Sequence, residues 1–445
     1  MTSMAILPTP ARFPRVLLPA NLPDDPTDLD AAVAAGRFGA LRAALSELKP
    51  EGVLKALGES GMRGRGNRGV PVGDKWLSCA STPSDRRYVV VNAYQSDPAV
   101  MTDRILIERN PYAVLEGAAI AAFAVGANEV IVAIRPEATE AIAILAKAIK
   151  AAEAAGYLGA SVLDSGVAIQ VGVRQLQGAY MVGEETVLLK ALEGKRGQPE
   201  QQPPYTTTRG LFGKPTVIHG PQTFASVPTI LSGGLPEFAE TSARAFAGTV
   251  LVQISGSVSS PGIAEVPFGV TLREVLDVAG GVPASRHAKA ILVGGPSGGL
   301  LPTSSLAVTF DHGALDKAGA QVGSGSIVVI DQHTCVVDLA ATLTRFCADE
   351  ACGKTIPCRI GLRRLSEIGA RICEGQPRGD EATLLTDLAY DIVESALCDH
   401  ERRATLALTS VVRYFRDELD AHILRNTCPA GVCLPKASAR AGAIS

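Results

Sequence analysis

Apolar runs and helical stretches alternate through the first half of the chain. Residues 88–91, 130–134 and 167–173 are short apolar runs, and residues 113–125 and the Ala-rich 137–155 lie between them with helical length. Strands alternating with helices of this kind predict a parallel or mixed sheet covered by helices, an α/β fold. A helical pattern also runs from residue 29 to about 57, and 183–192 reads as a helix ending at Gly194. Residues 61–76 hold too many glycines for a regular element, and 195–205 is a polar, Pro-rich excursion.

The pattern changes near residue 249. Short β-type runs at 250–254, 269–272, 289–293 and 326–330 surround a small helix ending at 276–281, which predicts a small α+β module. From residue 340 onward the pattern is helical, over 361–374, 381–397 and 405–424, as in a bundle of about four helices. The boundaries expected are a Pro-rich extension at 1–27, which lies on the surface or wraps a neighbour, then domains at 28–240, 247–335 and 340–433, with a tail at 434–445.

A chain of 445 residues has room for two or three domains with full cores. The net charge of −3, with no long basic run, leaves no electrostatic footprint for nucleic acid. The N-terminus lacks the basic and apolar regions of a signal peptide. No apolar run is long enough to span a bilayer, so direct membrane insertion is not expected. The nine cysteines are an odd number, mostly between Cys347 and Cys433. That favours metal or cluster chemistry in a cytoplasmic setting over a disulfide framework.

The sharpest chemical signal is Cys352-Gly-Lys-Thr-Ile-Pro-Cys358. It resembles an iron–sulfur loop of the C-x2-C-x2-C type with Thr355 at the middle ligand, and Cys398 can close the site from another helix. Cys79, Cys335 and Cys373 read as small buried hydrophobes. Cys428 and Cys433 are a redox pair or ligands, and the six histidines show no zinc-type pairing. Gly64-Arg-Gly-Asn-Arg-Gly69 fits G-x-G-x-x-G but follows a helix, so it is not the usual dinucleotide fingerprint. Its small residues let backbone N–H groups approach a phosphate or flat ring, with Lys75 as a balancing charge. Glu184 and Glu185 open a helix, where capping and the helix dipole account for them.

Ordered motifs then carry a resemblance over roughly residues 41–433. They include Arg63-Gly-Arg-Gly66, Gly73-Asp-Lys-Trp76, Asp103-Arg104, Gly126-Ala-Asn128, Gly178-Ala-Tyr180, Gly183-Glu-Glu-Thr186, Glu193-Gly-Lys-Arg-Gly-Gln-Pro199, Gly213-Lys-Pro-Thr216, Gly294-Gly-Pro-Ser-Gly-Gly299, Arg413-Tyr-Phe-Arg-Asp417 and Cys428-Pro-Ala-Gly-Val-Cys433. With these the chain resembles the FMN- and NADH-binding flavoprotein subunit of respiratory complex I. It is similar too to the diaphorase subunits of NAD-dependent formate dehydrogenases and NAD-reducing hydrogenases. The resemblance implies a Rossmann-like flavin/nucleotide domain, a β-grasp module of the SLBB type and a C-terminal helical bundle with a 4Fe-4S loop. It implies hydride transfer from NADH to FMN and single-electron steps through the cluster. By the same resemblance Gly64, Arg65, Gly66, Gly69, Lys75, Asn92, Tyr180, Gly183, Glu184, Glu185 and Thr223 bind FMN and NAD(H). Cys352, Cys358 and Cys398 hold the cluster, with Thr355, Cys347, water or a partner atom as fourth ligand. The implied partners are a thioredoxin-like 2Fe-2S subunit and a larger iron–sulfur or molybdenum/nickel redox subunit.

The departures cluster at ligand motifs. Asn67, Arg68 and Val70 replace Gly, Ala and Phe of the family's glycine loop, and Tyr94 and Gln95 replace two carboxylates. His219 and Gly220 stand where the family has paired Asn, and Thr355 replaces a Cys. An alternative therefore stays open at this level: a degenerate paralogue, without NAD(H) binding and with FMN binding either kept or lost, acting as a structural or electron-relay subunit.

Overall fold

The computed structural model describes residues 4–66, 69–233 and 248–433. The chain forms two compact units, Met1–Val252 with Ile263–Val270, and Gln253–Gly262 with Thr271–Ser445.

In the first unit β1 (Tyr88–Ala93), β2 (Glu129–Ile134), β3 (Gln170–Gln175) and β4 (Thr216–His219) form a parallel sheet in the order β3-β2-β1-β4. β1, β2 and β4 are buried along nearly their whole length, which is why they read as continuous apolar runs rather than alternating ones. The chain moves outward from β1 to β2 and β3, then returns to the other side of β1 with β4. That reversal opens a crevice at the carboxyl ends of β1 and β4, the usual ligand position in such sheets. Val91 pairs with His219 there, and Asn92 follows on β1.

Helix Pro111–Val125 is buried on nearly every face. It crosses helix Pro221–Leu231 at Gly117, where a Cβ would stand 1.8 Å from the Phe224 carbonyl oxygen. The helical pattern over 29–57 breaks into Leu29–Ala34, Gly39–Ala43, a π-helical turn Ala44–Leu48 and Lys49–Glu59. Gly36, at φ 96°, and Pro50, with no N–H to donate, interrupt it.

The glycine-rich stretch expected to be irregular contains the start of helix Val72–Ser81. Gly73 packs there against Gly58, with a Cβ position 2.6 Å from the Gly58 Cα, so these glycines serve close helix contact. The Pro-rich N-terminal segment lies largely on the surface and is anchored at a few buried residues. Val16, Leu17 and Leu18 donate their N–H groups to the buried Glu265 carboxylate at 2.7, 2.8 and 2.9 Å, and Ile6 bridges to Ile263.

A second, mixed sheet runs β6 (Gly262–Pro267), β5 (Thr249–Gly256), β9 (Ser326–Asp331), β7 (Ala288–Val293) and β8 (Gly299–Pro302). The strand expected at 269–272 is absent. Thr271 instead forms a capping box with Glu274 and starts helix Leu272–Val278, because T-x-x-E outweighs a four-residue stretch with only Val270 and Leu272 apolar.

The bundle comprises Val336–Asp349, a π-helical turn Pro357–Leu362 leading into Arg363–Cys373, then Glu381–Glu394, Asp399–Arg403, Leu406–Tyr414 and Arg416–Arg425. Its first helix begins at Val336 because Cys335 caps it, and the helix expected over 405–424 breaks at Phe415. Leu362, Leu365, Ile368, Ile372, Leu385 and Leu408 form its interior. Among the described residues no helix is long and apolar enough to cross a membrane.

Candidate functional site

The crevice at β1 and β4 gathers most of the residues expected to bind a nucleotide. Lys75, on helix Val72–Ser81, donates to Glu185 Oε2 at 2.8 Å and to the Ile218 carbonyl at 2.9 Å. Glu185 also accepts from the Thr206 hydroxyl. Glu184 caps helix Glu185–Leu192 through the Thr186 and Val187 N–H groups, both at 2.9 Å. Capping therefore accounts for Glu184, whereas Glu185 is the counter-ion of a largely buried lysine. Asn92 donates to the Gly183 carbonyl at 2.9 Å, which ties the end of β1 to the short turn Tyr180–Gly183.

The glycine loop is closed by Gly64 N–H to the Val70 carbonyl at 2.9 Å and by Arg63 to the Gly69 carbonyl at 2.9 Å. Gly66 is exposed, and Asn67 and Arg68 lie outside the described residues. Two of the expected contacts are committed internally. The Arg65 N–H donates to Thr223 Oγ1 at 3.1 Å, and its guanidinium reaches the Thr249 and Arg63 carbonyls and the Phe268 ring. Burial lowers the Arg65 pKa to about 10 against the opposing charge of Glu265. Arg65 and Thr223 thus fasten the loop to helix Pro221–Leu231.

The altered positions have their own packing. Tyr94 is buried with Arg135 over its ring at 5.3 Å, and Gln95 takes a left-handed φ of 47° while accepting from the Arg104 N–H at 3.2 Å. His219 lies between Trp76 and Phe224, and burial, with the charges of Lys75 and Arg65, holds it neutral. His219 Nε2, Trp76 Nε1 and Gln95 Nε2 are buried without a hydrogen-bond partner among the described residues. Unmet polar atoms of this kind are uncommon, and their presence around a switch-point crevice fits a polar, hydrogen-bonding ligand such as a flavin.

In the second unit Cys352 and Cys398 are near enough to Cys358 for their charges to act on its thiol. Cys358 lies in the π-helical turn, and Cys398 is the residue capping Asp399–Arg403. Burial pushes the Cys358 thiol up to about 12, and the charges of Glu401, Cys398 and Cys352 add to the shift. Thr355 Oγ1 donates to Glu401 Oε1 at 2.7 Å. Cys347 is buried, its thiol directed at the Pro296 carbonyl at 3.6 Å and its own carbonyl 3.0 Å from His400 Nε2.

A second centre lies outside the expected ligand set. Cys335, His422, Cys428 and Cys433 place their donor atoms within 4.8 Å of one another. Cys335 Sγ to His422 Nε2 is 3.4 Å, His422 Nε2 to Cys433 Sγ is 3.0 Å, and Cys433 to Cys335 is 3.7 Å. Tetrahedral zinc with ordinary bond lengths requires sulfur–sulfur edges of about 3.8 Å and sulfur–nitrogen edges of about 3.5 Å. His422 Nδ1 is 2.7 Å from the Glu418 carbonyl, an outer contact that leaves Nε2 for the metal. Burial raises the Cys428 thiol, but the Cys433 and Val432 N–H groups, the Cys433 thiol and His422 outweigh it and bring it down to about 6.

Cys335 is therefore not a mere core thiol, and one histidine does pair with cysteines. The local signal is His422-x5-Cys428-x4-Cys433. Cys335 lies too far upstream for spacing to reveal it.

Three family models match the chain: Nuo51 FMN-binding domain over residues 57–229, SLBB domain over 251–301, and NADH-ubiquinone oxidoreductase-F iron-sulfur binding region over 338–422. The chain is 37% identical over 410 residues to the NADP-reducing hydrogenase subunit HndC of Solidesulfovibrio fructosivorans, covering 92% of this chain and 83% of that protein. It is 38% identical over 397 residues to an NADH-quinone oxidoreductase subunit of Rhizobium meliloti, covering 89% of this chain and 94% of that protein. Among solved structures it is similar to an NAD+-reducing NiFe-hydrogenase in the H2-reduced state, with a TM-score of 0.81, 28% identity, and coverage of 95% of this chain and 68% of that one.

Proposed function

The chain belongs to the family of FMN- and iron–sulfur-binding flavoprotein subunits of NADH-ubiquinone oxidoreductase and their hydrogenase relatives, and from that membership we infer which residues hold its cofactors. It is an oxidoreductase subunit passing electrons between NAD(H), FMN and a 4Fe-4S cluster within a multi-subunit redox complex.

The flavin belongs in the crevice at the carboxyl ends of β1 and β4. The observation carrying this is the meeting of Lys75, Glu185 and Asn92 with the unpartnered His219 Nε2 at that switch point. FMN, when bound, accepts a hydride and releases its electrons singly. The protein's part is positional. Gly66, exposed on the glycine loop, allows a close approach of backbone to ligand, Lys75 offers a fixed cation, and neutral His219 a hydrogen bond without added charge. Val70, 39% exposed on that loop, offers an aliphatic surface to the nicotinamide in place of an aromatic one.

The cluster belongs with Cys352, Cys358 and Cys398, and Cys335, His422, Cys428 and Cys433 hold a separate structural zinc ion. The proposed partners are a thioredoxin-like 2Fe-2S subunit and a larger iron–sulfur or molybdenum/nickel subunit, in the cytoplasm.

Anaerobic purification, a visible spectrum and an NADH titration test the reading. Flavin absorbance bleached by NADH over a broad iron–sulfur band is expected. A colourless protein would instead favour the degenerate paralogue, and an iron–sulfur band without flavin a relay subunit. Lys75→Met should weaken FMN about 10–100-fold, the equivalent of one charge-assisted hydrogen bond. Fluorescence titration of flavin-depleted protein would measure it, and unchanged affinity would remove Lys75 from the site.

A further inference from the structure

Thr355 stands where a C-x2-C-x2-C loop has its middle thiolate, so a cubane held by Cys352, Cys358 and Cys398 has one iron without a cysteine. The structure supplies an anionic donor at that place from another element. Glu401 lies three residues beyond Cys398, on the short helix Asp399–Arg403, and is 1% exposed. Its Oε2 accepts the Leu397 N–H at 2.8 Å, and its Oε1 accepts the Thr355 hydroxyl at 2.7 Å. No lysine or arginine forms an ion pair with Glu401 among the described residues, although it is buried beside three cysteines that become anionic on binding iron. A buried carboxylate without a cation is costly, and an iron–sulfur core is the cation that this set of groups is arranged to receive.

We propose that Glu401 is the fourth ligand of the 4Fe-4S cluster, its carboxylate bound to the iron that Thr355 leaves without a thiolate. A carboxylate offers iron two oxygen acceptors, whereas a threonine hydroxyl offers a single oxygen that must also place its own proton. Thr355 is then a positioning residue whose O–H is donated to the ligand, and Leu397 N–H fixes the second oxygen. An oxygen ligand changes the hydrogen bonding and electronic character of one corner, both of which act on the cluster potential.

The inference rests on the cluster reading above, and the experiment separates the two. Full-length protein is reconstituted anaerobically with iron-57 and sulfide, then examined by iron analysis, Mössbauer and EPR spectroscopy. The wild type should hold four irons, one of them spectroscopically distinct. Glu401→Gln, which retains the shape and an acceptor for Leu397 N–H, and Glu401→Ala should lose that iron and show the EPR signal of an oxidised three-iron cluster. Thr355→Val should keep four irons. Thr355→Cys should also keep four while the distinct iron disappears. Unchanged circular dichroism and zinc content would show that each variant is folded. Four irons with an unaltered spectrum in both Glu401 variants, or loss of the fourth iron in Thr355→Val alone, would overturn the ligand assignment while leaving the cluster. Wild type that takes up no iron would overturn both.

Discussion

Replacing His422 by alanine should strip the zinc ion from the bundle and destabilise it by about 3 kcal/mol or more, roughly 6–12 °C in Tm for a unit of this size. The four donors come from three places: the cap of Val336–Asp349, the helix Arg416–Arg425, and the turn that follows it. An ion held by them would pin the turn after Arg416–Arg425 to the first helix of the bundle. Structural zinc sites in small peptides supply about 10–16 kcal/mol, but this unit has an apolar interior of its own, so a smaller loss is expected here. Metal analysis with calorimetry provides the check. Chelator-treated wild type should melt with the variant, and the variant should not respond to chelator. Wild type that carries no zinc and is indifferent to chelator would show that the four donors are merely neighbours.

The second large effect is expected from Gly117→Ala, which should cost about 3 kcal/mol or more. The added methyl carbon would lie 1.8 Å from the Phe224 carbonyl oxygen and 2.5 Å from its carbon. Both belong to helix backbone, so no rotamer change relieves the clash and the two helices must separate. Helix Pro221–Leu231 follows His219 and carries Thr223, so the crevice moves with it. Alanine otherwise favours a helix over glycine by about 1 kcal/mol, which makes the expected sign a sensitive one. Urea unfolding monitored with flavin content would measure both consequences. A stabilised variant with full flavin would mean that the helices do not touch at this point.

Much of the fold is legible in the order of residues. The strands β1, β2, β7 and β9 stand out because a strand buried on both faces must be apolar along its length, and the Cys352–Cys358 loop because cluster ligands are closely spaced. The four-residue β4 and the helix beginning at Val72 are not legible. The first is too short to show a period, and the second starts among glycines that exist for a neighbouring helix, Gly58 against Gly73. Residues 29–57 show the reverse error, in which a continuous pattern hides interruptions at Gly36 and Pro50.

For the sites, the order of residues is enough to reach the family, its three kinds of module, and the altered positions Tyr94, Gln95, His219 and Thr355. What those alterations meet is a property of the folded chain. Folding turns Arg65 and Thr223 inward, pairs Lys75 with Glu185, brings Cys335 to His422, Cys428 and Cys433, and sets Glu401 against Thr355. One cause underlies all four. Spacing along a chain constrains donors that share one loop or one helix face, whereas a coordination shell or an ion pair is completed by groups that only folding brings within a few ångströms.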